Sequence, residues 1–226
     1  MTDAGTVGLG GLRDFGRTYF QRRYTVLFYT LVFTVVVSPV IASFGLSGAF
    51  IESLLATCLL AAVMPVNAGR SRRFLLAAMT AAWLARPATA WFEHRVLSAI
   101  TLGTWTLIGL IAAAVALRFA MRGTKVDAEH LYAALSAYLL AGIYFGLLYW
   151  LLEQIVPGTF VTATKFSRTG AIYFSFVTLA TLGYGDIVPR TDVARGLAIV
   201  EGVGGQLFLA VLVARLLSLY SRPTGD

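Results

Sequence analysis

Six long apolar segments follow one another along this chain, and they exclude a water-soluble fold. Each is close to the roughly 20 residues that a helix needs to cross a bilayer. With 58% hydrophobic and 13% charged residues among 226, a soluble domain could not bury so much apolar surface. We therefore predict an all-α membrane protein with six transmembrane helices, at residues 24–44, 49–66, 74–92, 96–121, 131–156 and 194–220.

A seventh apolar piece, residues 169–180, is too short to span and is predicted to be a re-entrant helix. It leads into the sequence TLGYGD at residues 181–186. Non-helical backbone at membrane depth is tolerated only when it is buried in protein or lines a watery cavity. This stretch is therefore predicted to line a pore. A line of carbonyls aimed at one axis needs residues that accept positive φ, and Gly183 and Gly185 supply them.

The basic residues predict the topology. The net charge is +7, yet no basic stripe with interleaved aromatics is present, so nucleic acid is not an expected partner. Five basic residues fall on one side of the alternating spans, namely Arg95, Lys165, Arg168, Arg190 and Arg195. Twelve fall on the other side, which is predicted to be cytoplasmic and to hold both termini: Arg13, Arg17, Arg22, Arg23, Arg70, Arg72, Arg73, Arg118, Arg122, Lys125, Arg215 and Arg222. The expected location is the plasma (inner) membrane.

The sequence TLATLGYGD, residues 178–186, resembles the signature of the potassium channel family, in which a pore helix ends in a selectivity filter. The resemblance covers an outer helix, pore helix, filter and inner helix within residues 131–222. It implies a homotetramer, because a ring of coordinating oxygens needs four chains. It also implies K⁺ as the permeant ion, with no organic cofactor. The implied ion-binding residues are Thr181, Leu182, Gly183, Tyr184 and Gly185, with K⁺ bound by carbonyls of the first four and by the Thr181 hydroxyl.

The same resemblance assigns filter support to Tyr173, Phe174, Val177, Thr178 and Asp186. Leu182 stands where the family usually has Val or Ile, so the packing behind the filter is expected to differ. Val177 stands where some relatives have an acidic residue, which leaves Asp186 without that partner. We hypothesise that the Tyr173 hydroxyl hydrogen-bonds to Asp186 instead.

The last span contains candidates for gating. Gly205 matches the hinge glycine of related inner helices, although a glycine there can equally serve close helix packing. Helical spacing places four residues on one face that is expected to line the inner vestibule, and these are Gln206, Leu209, Val213 and Leu217. They form either a hydrophobic gate or an ordinary packing surface. Glu201 is ionisable and lies within a span, which makes it a functional candidate without an identified partner.

The first four spans resemble the voltage-sensor domain of voltage-gated channels in a degenerate form. The fourth span carries no basic residue between Val96 and Leu117, so no strong voltage gating is expected. Glu52 and Arg86 are predicted at matching depths and are expected to pair. The predicted division is a cytoplasmic segment at 1–23, forming an interfacial helix or a disordered tail, a four-helix domain at 24–121, a linker at 122–130 and a pore domain at 131–222.

These features together predict a homotetrameric, lipid-embedded, potassium-selective channel that conducts passively. Within the sequence, neither a nucleophile with its base nor a metal-ligand spacing is recognisable, so an enzyme is not expected. Two alternatives remain open: a less selective cation channel, which Leu182 makes conceivable, and a subunit of a potassium transporter, some of which use filter-like loops.

Overall fold

The structure is a computed structural model that describes residues 22–43, 95–122 and 127–220. These residues form five helices and two short strands: α1 (Arg23–Ser43), α2 (Arg95–Arg122), α3 (Ala128–Ile155), β1 (Phe160–Thr162), α4 (Arg168–Leu179), β2 (Ile187–Pro189) and α5 (Asp192–Tyr220).

Among the described residues, α1, α2, α3 and α5 are long and apolar enough to cross a membrane. They correspond to four of the six predicted spans, and α4 corresponds to the predicted re-entrant helix. The spans predicted at 49–66 and 74–92 lie outside the described residues, as do Glu52 and Arg86 and almost all of the predicted N-terminal segment 1–23.

α3 lies at the centre of the main hydrophobic core and contacts α1, α2, α4 and α5. Leu140, Ile143 and Tyr144 of α3 are almost completely buried in this core, against Leu31 of α1 and Ile108 of α2. Because helices of both predicted modules share this core, α1 and α2 pack directly on α3.

Two glycines of α3 let the re-entrant helix approach closely. A Cβ atom on Gly142 would lie 2.6 Å from the ring of Phe176, and one on Gly146 would lie 2.5 Å from the Cα atom of Ile172. Phe176 and Ile172 belong to α4, so glycines spaced four residues apart bring the two helices together, as in membrane helix pairs generally.

Local sequence explains where α3 and α4 begin and where α3 ends. The Asp127 carboxylate accepts the N–H of His130, and the Ser167 hydroxyl accepts the N–H of Gly170, so both helices have side-chain N-caps. α3 ends at Ile155, where Pro157 two residues later cannot continue the helix.

The starts of α1 and α3 meet the end of α2 at one end of the helical bundle. The Glu129 carboxylate accepts the backbone N–H of Tyr24 at 3.0 Å and the Thr25 hydroxyl at 2.5 Å. The Arg215 guanidinium of α5 donates to the carbonyl of Ala120 near the end of α2. Free amides at a helix start favour an acceptor and free carbonyls at a helix end favour a cation, which is what these contacts supply.

The two strands were missed by the all-α prediction. β1 and β2 pair antiparallel, with Val161 opposite Val188, and the Arg190 N–H extends the pairing to the Thr159 carbonyl at 2.8 Å. The strands join the chain just ahead of α4 to the chain just after TLGYGD. They therefore fix both ends of the re-entrant loop to each other.

Candidate ion pore

The re-entrant helix α4 ends in a defined hydrogen-bonded turn. The Thr181 N–H donates to the Thr178 carbonyl at 3.0 Å, and the Leu182 N–H donates to the Val177 carbonyl at 2.8 Å. This pair of hydrogen bonds is the Schellman motif. In that motif the residue just after the helix C-cap, here Thr181, has left-handed backbone angles. Its φ is 56°.

A threonine at this position is conformationally unfavourable. The left-handed region costs a non-glycine residue about 1–2 kcal/mol, and β-branched residues are rare there. Glycine would end the helix without that cost. The unfavourable conformation makes Thr181 a candidate functional residue, and its only polar side-chain atom is a hydroxyl oxygen.

The backbone that follows alternates in handedness. Positive φ occurs at Thr181, at Gly183 (61°) and at Gly185 (77°), and not at Leu182 or Tyr184 between them. In a regular strand successive carbonyls point to opposite sides, whereas a left-handed residue at every second position turns them towards a common side. The segment thus has the backbone needed for a row of carbonyl oxygens.

The two filter glycines are explained by conformation and not by crowding. A Cβ atom on Gly183 or Gly185 would meet no other atom within 4 Å, so only their positive φ disfavours a larger residue. Their neighbours Leu182 and Tyr184 are 56% and 66% exposed within one chain. The TLGYGD segment therefore lies open on the surface of the single chain.

The electrostatics of the helix end suit a cation. The negative end of the α4 dipole, at Leu179, leads directly into the left-handed turn, and α4 has no basic residue after Arg168. Among the described residues, no group of three or more His, Cys, Asp or Glu side chains could hold a metal ion. Backbone carbonyls and a threonine hydroxyl are oxygen ligands of the kind that suit a hard monovalent cation.

Tyr173 connects the helix to the outer end of the row. Its ring stacks on the ring of Tyr184, with centroids 6.4 Å apart and planes 6° apart. Its hydroxyl group also interacts electrostatically with the Asp186 carboxylate. The hydrogen bond hypothesised between Tyr173 and Asp186 joins groups that are near each other, and it stays a prediction.

The other three residues assigned to filter support are buried or half-buried. Phe174 packs into a second core, edge-on to Tyr149 at 5.0 Å and to Phe160 at 5.2 Å. Val177 is buried. A Cβ atom added to Gly202 of α5 would lie 3.8 Å from the Thr178 methyl group. These residues fix the back of α4 against its neighbours.

Gly205 of α5 faces the end of α4. A Cβ atom on Gly205 would lie 2.8 Å from the Leu179 carbonyl oxygen and 2.8 Å from the Leu179 Cδ1 atom. The helix passes through this residue without a break. Gly205 thus has a packing role in this conformation, while its role as a hinge stays a prediction. The residues predicted to line the vestibule are all exposed in the single chain: Gln206, Leu209, Val213 and Leu217.

Glu201, for which sequence alone gave no partner, is 1% exposed and hydrogen-bonded. The Tyr149 hydroxyl donates to Glu201 Oε2 at 2.7 Å, and the Ser175 hydroxyl contacts Oε1. Sequence reasoning missed Tyr149 and Ser175 because they lie on α3 and α4, far along the chain. Two polar side chains in apolar helices were the available signal, and they did not indicate which residue they meet.

Comparison with known proteins agrees with this geometry. Residues 135–222, from α3 through α5, match the family described as ion channel. This segment is therefore similar to ion channels. The resemblance to potassium channels that TLATLGYGD predicted is confirmed. The similarity of this segment to ion channels agrees with the expectation that the protein is not an enzyme.

Three potassium channels from other organisms are similar to part of this chain. An inward rectifier potassium channel, Kirbac3.1 of Paramagnetospirillum magnetotacticum, is 34% identical over 91 residues, which are 38% of this chain and 28% of the relative. Two-pore potassium channel 4 of Arabidopsis thaliana is 50% identical over 48 residues, 21% of this chain and 17% of the relative. Two pore potassium channel c of Oryza sativa subsp. japonica is 33% identical over 91 residues, 39% of this chain and 18% of the relative.

The match therefore spans less than a third of the length of each of these relatives. The family match covers residues 135–222. No solved structure matches the chain.

Proposed function

We propose that this protein is a potassium-selective channel that conducts K⁺ passively across a membrane. The observation that carries the proposal is the alternation of positive φ at Thr181, Gly183 and Gly185 directly after a helix end. That backbone suits a row of carbonyls replacing the water shell of a dehydrated cation, with the Thr181 hydroxyl as a further ligand. The relatives, all named as potassium channels, support K⁺ as the ion.

The proposed assembly is a homotetramer. One chain contributes one row of carbonyls, and a ring that surrounds an ion needs four. Two observations support further copies of the chain: the filter is open on one side, and α5 exposes apolar residues such as Ile199, Val203 and Leu207 along most of its length. Gln206 lies exposed among them, and a polar side chain in that position suits a water-filled vestibule better than lipid.

We propose that the channel has no strong voltage dependence. Between Ala99 and Leu117, α2 has no charged side chain, and its buried alanines pack on α3. Moving one charge through the membrane is worth about 2.3 kcal/mol per 100 mV, so steep gating needs several charges in such a helix. A steep conductance–voltage curve would contradict this part of the proposal.

The proposed orientation has both termini in the cytoplasm. Arg23, Arg122 and Arg215 lie towards the end of the helical bundle where α1 and α3 begin and α2 ends, and the filter lies on the opposite side. Basic residues concentrate on the cytoplasmic side of membrane proteins. The filter would then face the outside, as is suitable for a pore loop that enters from there.

The decisive test is the reversal potential under a K⁺/Na⁺ gradient, measured on purified protein in liposomes. Wild-type protein is expected to prefer K⁺, and Gly183→Ala is expected to lose that preference, because alanine is disfavoured at φ 61°. Gly158→Ala is the matched control: Gly158 also has a positive φ of 84° and open space, but it lies in the turn before β1.

Four outcomes would change the interpretation. Equal permeation of K⁺ and Na⁺ by the wild type would indicate the less selective cation channel. Fluxes no faster than about 10³ s⁻¹, the upper range of enzyme turnover, would indicate a transporter subunit. Unchanged selectivity in Gly183→Ala would refute the assignment of the filter, while a loss in Gly158→Ala as well would mean that the measurement reports folding.

A further inference from the structure

Glu201 occupies the point where three helices of the pore segment meet. It belongs to α5, and its carboxyl group lies between Tyr149 of α3 and Ser175 of α4. The titratable groups that interact with it in the described part of the chain are Tyr149 and Tyr138, neither of which carries a positive charge. A carboxylate here would be a buried negative charge without a counter-ion, which is costly at membrane depth.

The hydrogen bonds around Glu201 can be counted. The group contains three close oxygen–oxygen contacts: Tyr149 Oη with Glu201 Oε2 at 2.7 Å, Ser175 Oγ with Glu201 Oε1, and Ser175 Oγ with the Gly142 carbonyl at 2.6 Å. Each hydroxyl supplies a single hydrogen, and a carboxylate supplies none. The hydroxyls of Tyr149 and Ser175 together supply two hydrogens for three contacts. If Glu201 were ionised, Ser175 Oγ would therefore lie against either Glu201 Oε1 or the Gly142 carbonyl oxygen with no hydrogen between the two oxygens.

A protonated Glu201 satisfies all three contacts at once. Its Oε1–H donates to the Ser175 oxygen, which leaves the Ser175 hydrogen free to donate to the Gly142 carbonyl, and Oε2 accepts from Tyr149. We propose that Glu201 is a neutral carboxylic acid that holds the pore helix in position behind the filter. The inference rests on the proposed channel function for its consequence, but the protonation state can be tested separately.

The position of this group explains why it would affect the filter. Ser175 and Leu179 are one turn apart on α4, and Glu201 and Gly205 are one turn apart on α5. Ser175 meets Glu201, and Leu179 meets Gly205, so the two helices are in register over a full turn. Leu179 is two residues before Thr181. A displacement of α4 at Ser175 would therefore move the start of the carbonyl row.

Infrared spectroscopy of the purified tetramer at neutral pH tests the protonation. A neutral carboxylic acid has a carbonyl-stretch band that is separate from the bands of carboxylates. We expect this band in the wild type, and we expect Glu201→Gln to remove it. A wild-type spectrum without the band, or a band that Glu201→Gln leaves unchanged, would overturn the inference whether or not the protein conducts K⁺.

Liposome selectivity measurements test the positioning role. Glutamine reproduces the proposed pattern, since its amide oxygen can accept from Tyr149 while its nitrogen donates to Ser175. Glu201→Gln is therefore expected to keep the K⁺ preference, and Glu201→Leu, which leaves both hydroxyls without this partner, is expected to lose it. Loss of selectivity in Glu201→Gln would refute the neutral-acid pattern.

Two further variants keep the test valid if Glu201→Leu does not assemble. Tyr149→Phe and Ser175→Ala each remove one hydroxyl and little volume, and Ser175→Ala also removes the side-chain donor to the Gly142 carbonyl. Selectivity is expected to fall more in Ser175→Ala than in Tyr149→Phe, because Ser175 belongs to α4 itself. Full selectivity in Ser175→Ala would contradict the positioning role. A wild type that conducts without K⁺ preference would refute the proposed function instead, and the infrared result would stand.

Discussion

α3 and α5 are long, apolar helices of nearly equal length, but the chain covers them very differently. Of the residues in their spanning segments, 56% are buried in α3 and 11% in α5. α3 contacts every other helix of the described chain, whereas α5 packs along one side on α4 and more weakly on α3. Equal apolar character thus serves two purposes: α3 completes a core within one chain, and α5 is left with a face that suits other copies.

The largest effect is expected from a bulky residue on the open face of α5. Val203 is 54% exposed and lies about one turn before Gln206. In the proposed tetramer, Val203→Trp should overpack four symmetric contacts at about 1–3 kcal/mol each and reduce assembly. Size-exclusion chromatography with light scattering in detergent measures this. Val203→Ala should remain tetrameric. An intact Val203→Trp tetramer would contradict the proposal that the exposed face of α5 contacts other copies of the chain.

On α3 the corresponding effect is expected within the single chain. Gly146→Ala would place a methyl group 2.5 Å from the Ile172 Cα atom, which is backbone and cannot rotate away. We expect a destabilisation of about 1–3 kcal/mol, seen as a lower thermal unfolding temperature. Gly103→Ala is the matched control on the facing helix α2, since its methyl group would be 3.5 Å from Leu151 Cδ2. Helix propensity should make that variant neutral or more stable by up to about 1 kcal/mol, and equal losses in both variants would contradict the packing argument.

A third test concerns Thr181, where the chain leaves α4 on its way to α5. Thr181→Gly should relieve the left-handed conformation and stabilise the chain in K⁺-free buffer by about 1 kcal/mol. The same change removes the hydroxyl oxygen, so added K⁺ should raise the unfolding temperature less than in the wild type. Thr181→Ser, which keeps the hydroxyl, should retain the response to K⁺. An unaltered K⁺ response in Thr181→Gly would show that the side chain is not a ligand.

The smallest effect is expected at the start of α3. The His130 backbone N–H, followed by its side chain, lowers the pKa of the Asp127 carboxyl below its ordinary value of 3.8. The stabilisation is therefore complete above that value and is lost as the pH falls through the lowered pKa. Asp127→Ala should cost at most about 1 kcal/mol at neutral pH. Asp127→Asn should keep the cap and remove this part of the acid sensitivity, and acid unfolding curves that coincide for wild type and Asp127→Asn would argue against it.

The sequence predicted the parts of this fold that depend on residues close together in the chain. Span length, the short α4 and the positive φ of Gly183 and Gly185 all follow from local composition and backbone sterics. The strands were missed because Phe160–Thr162 and Ile187–Pro189 are only three residues long and show no alternation that would reveal them.

The contacts of Glu201 could not be predicted for a different reason. An ionisable side chain within a span marked Glu201 as a candidate, but Ser175 and Tyr149 are 26 and 52 residues away along the chain. Small residues such as Gly142 and Gly146 determine which faces of the three apolar helices meet. The effect of these glycines on packing can be seen only once the positions of the neighbouring helices are known. The left-handed conformation of Thr181 was missed because threonine disfavours it.

The pairing of β1 with β2 has a consequence for how the loop tolerates change. β1 and β2 join the two ends of the loop that contains α4 and TLGYGD. The chain therefore enters and leaves this loop at adjacent positions. Closing a loop reduces the number of conformations open to it before any ion is present. The two strands are joined by hydrogen bonds between main-chain amides and carbonyls. Substitution of Val161 or Val188 by other strand-forming residues is therefore expected to preserve the pairing.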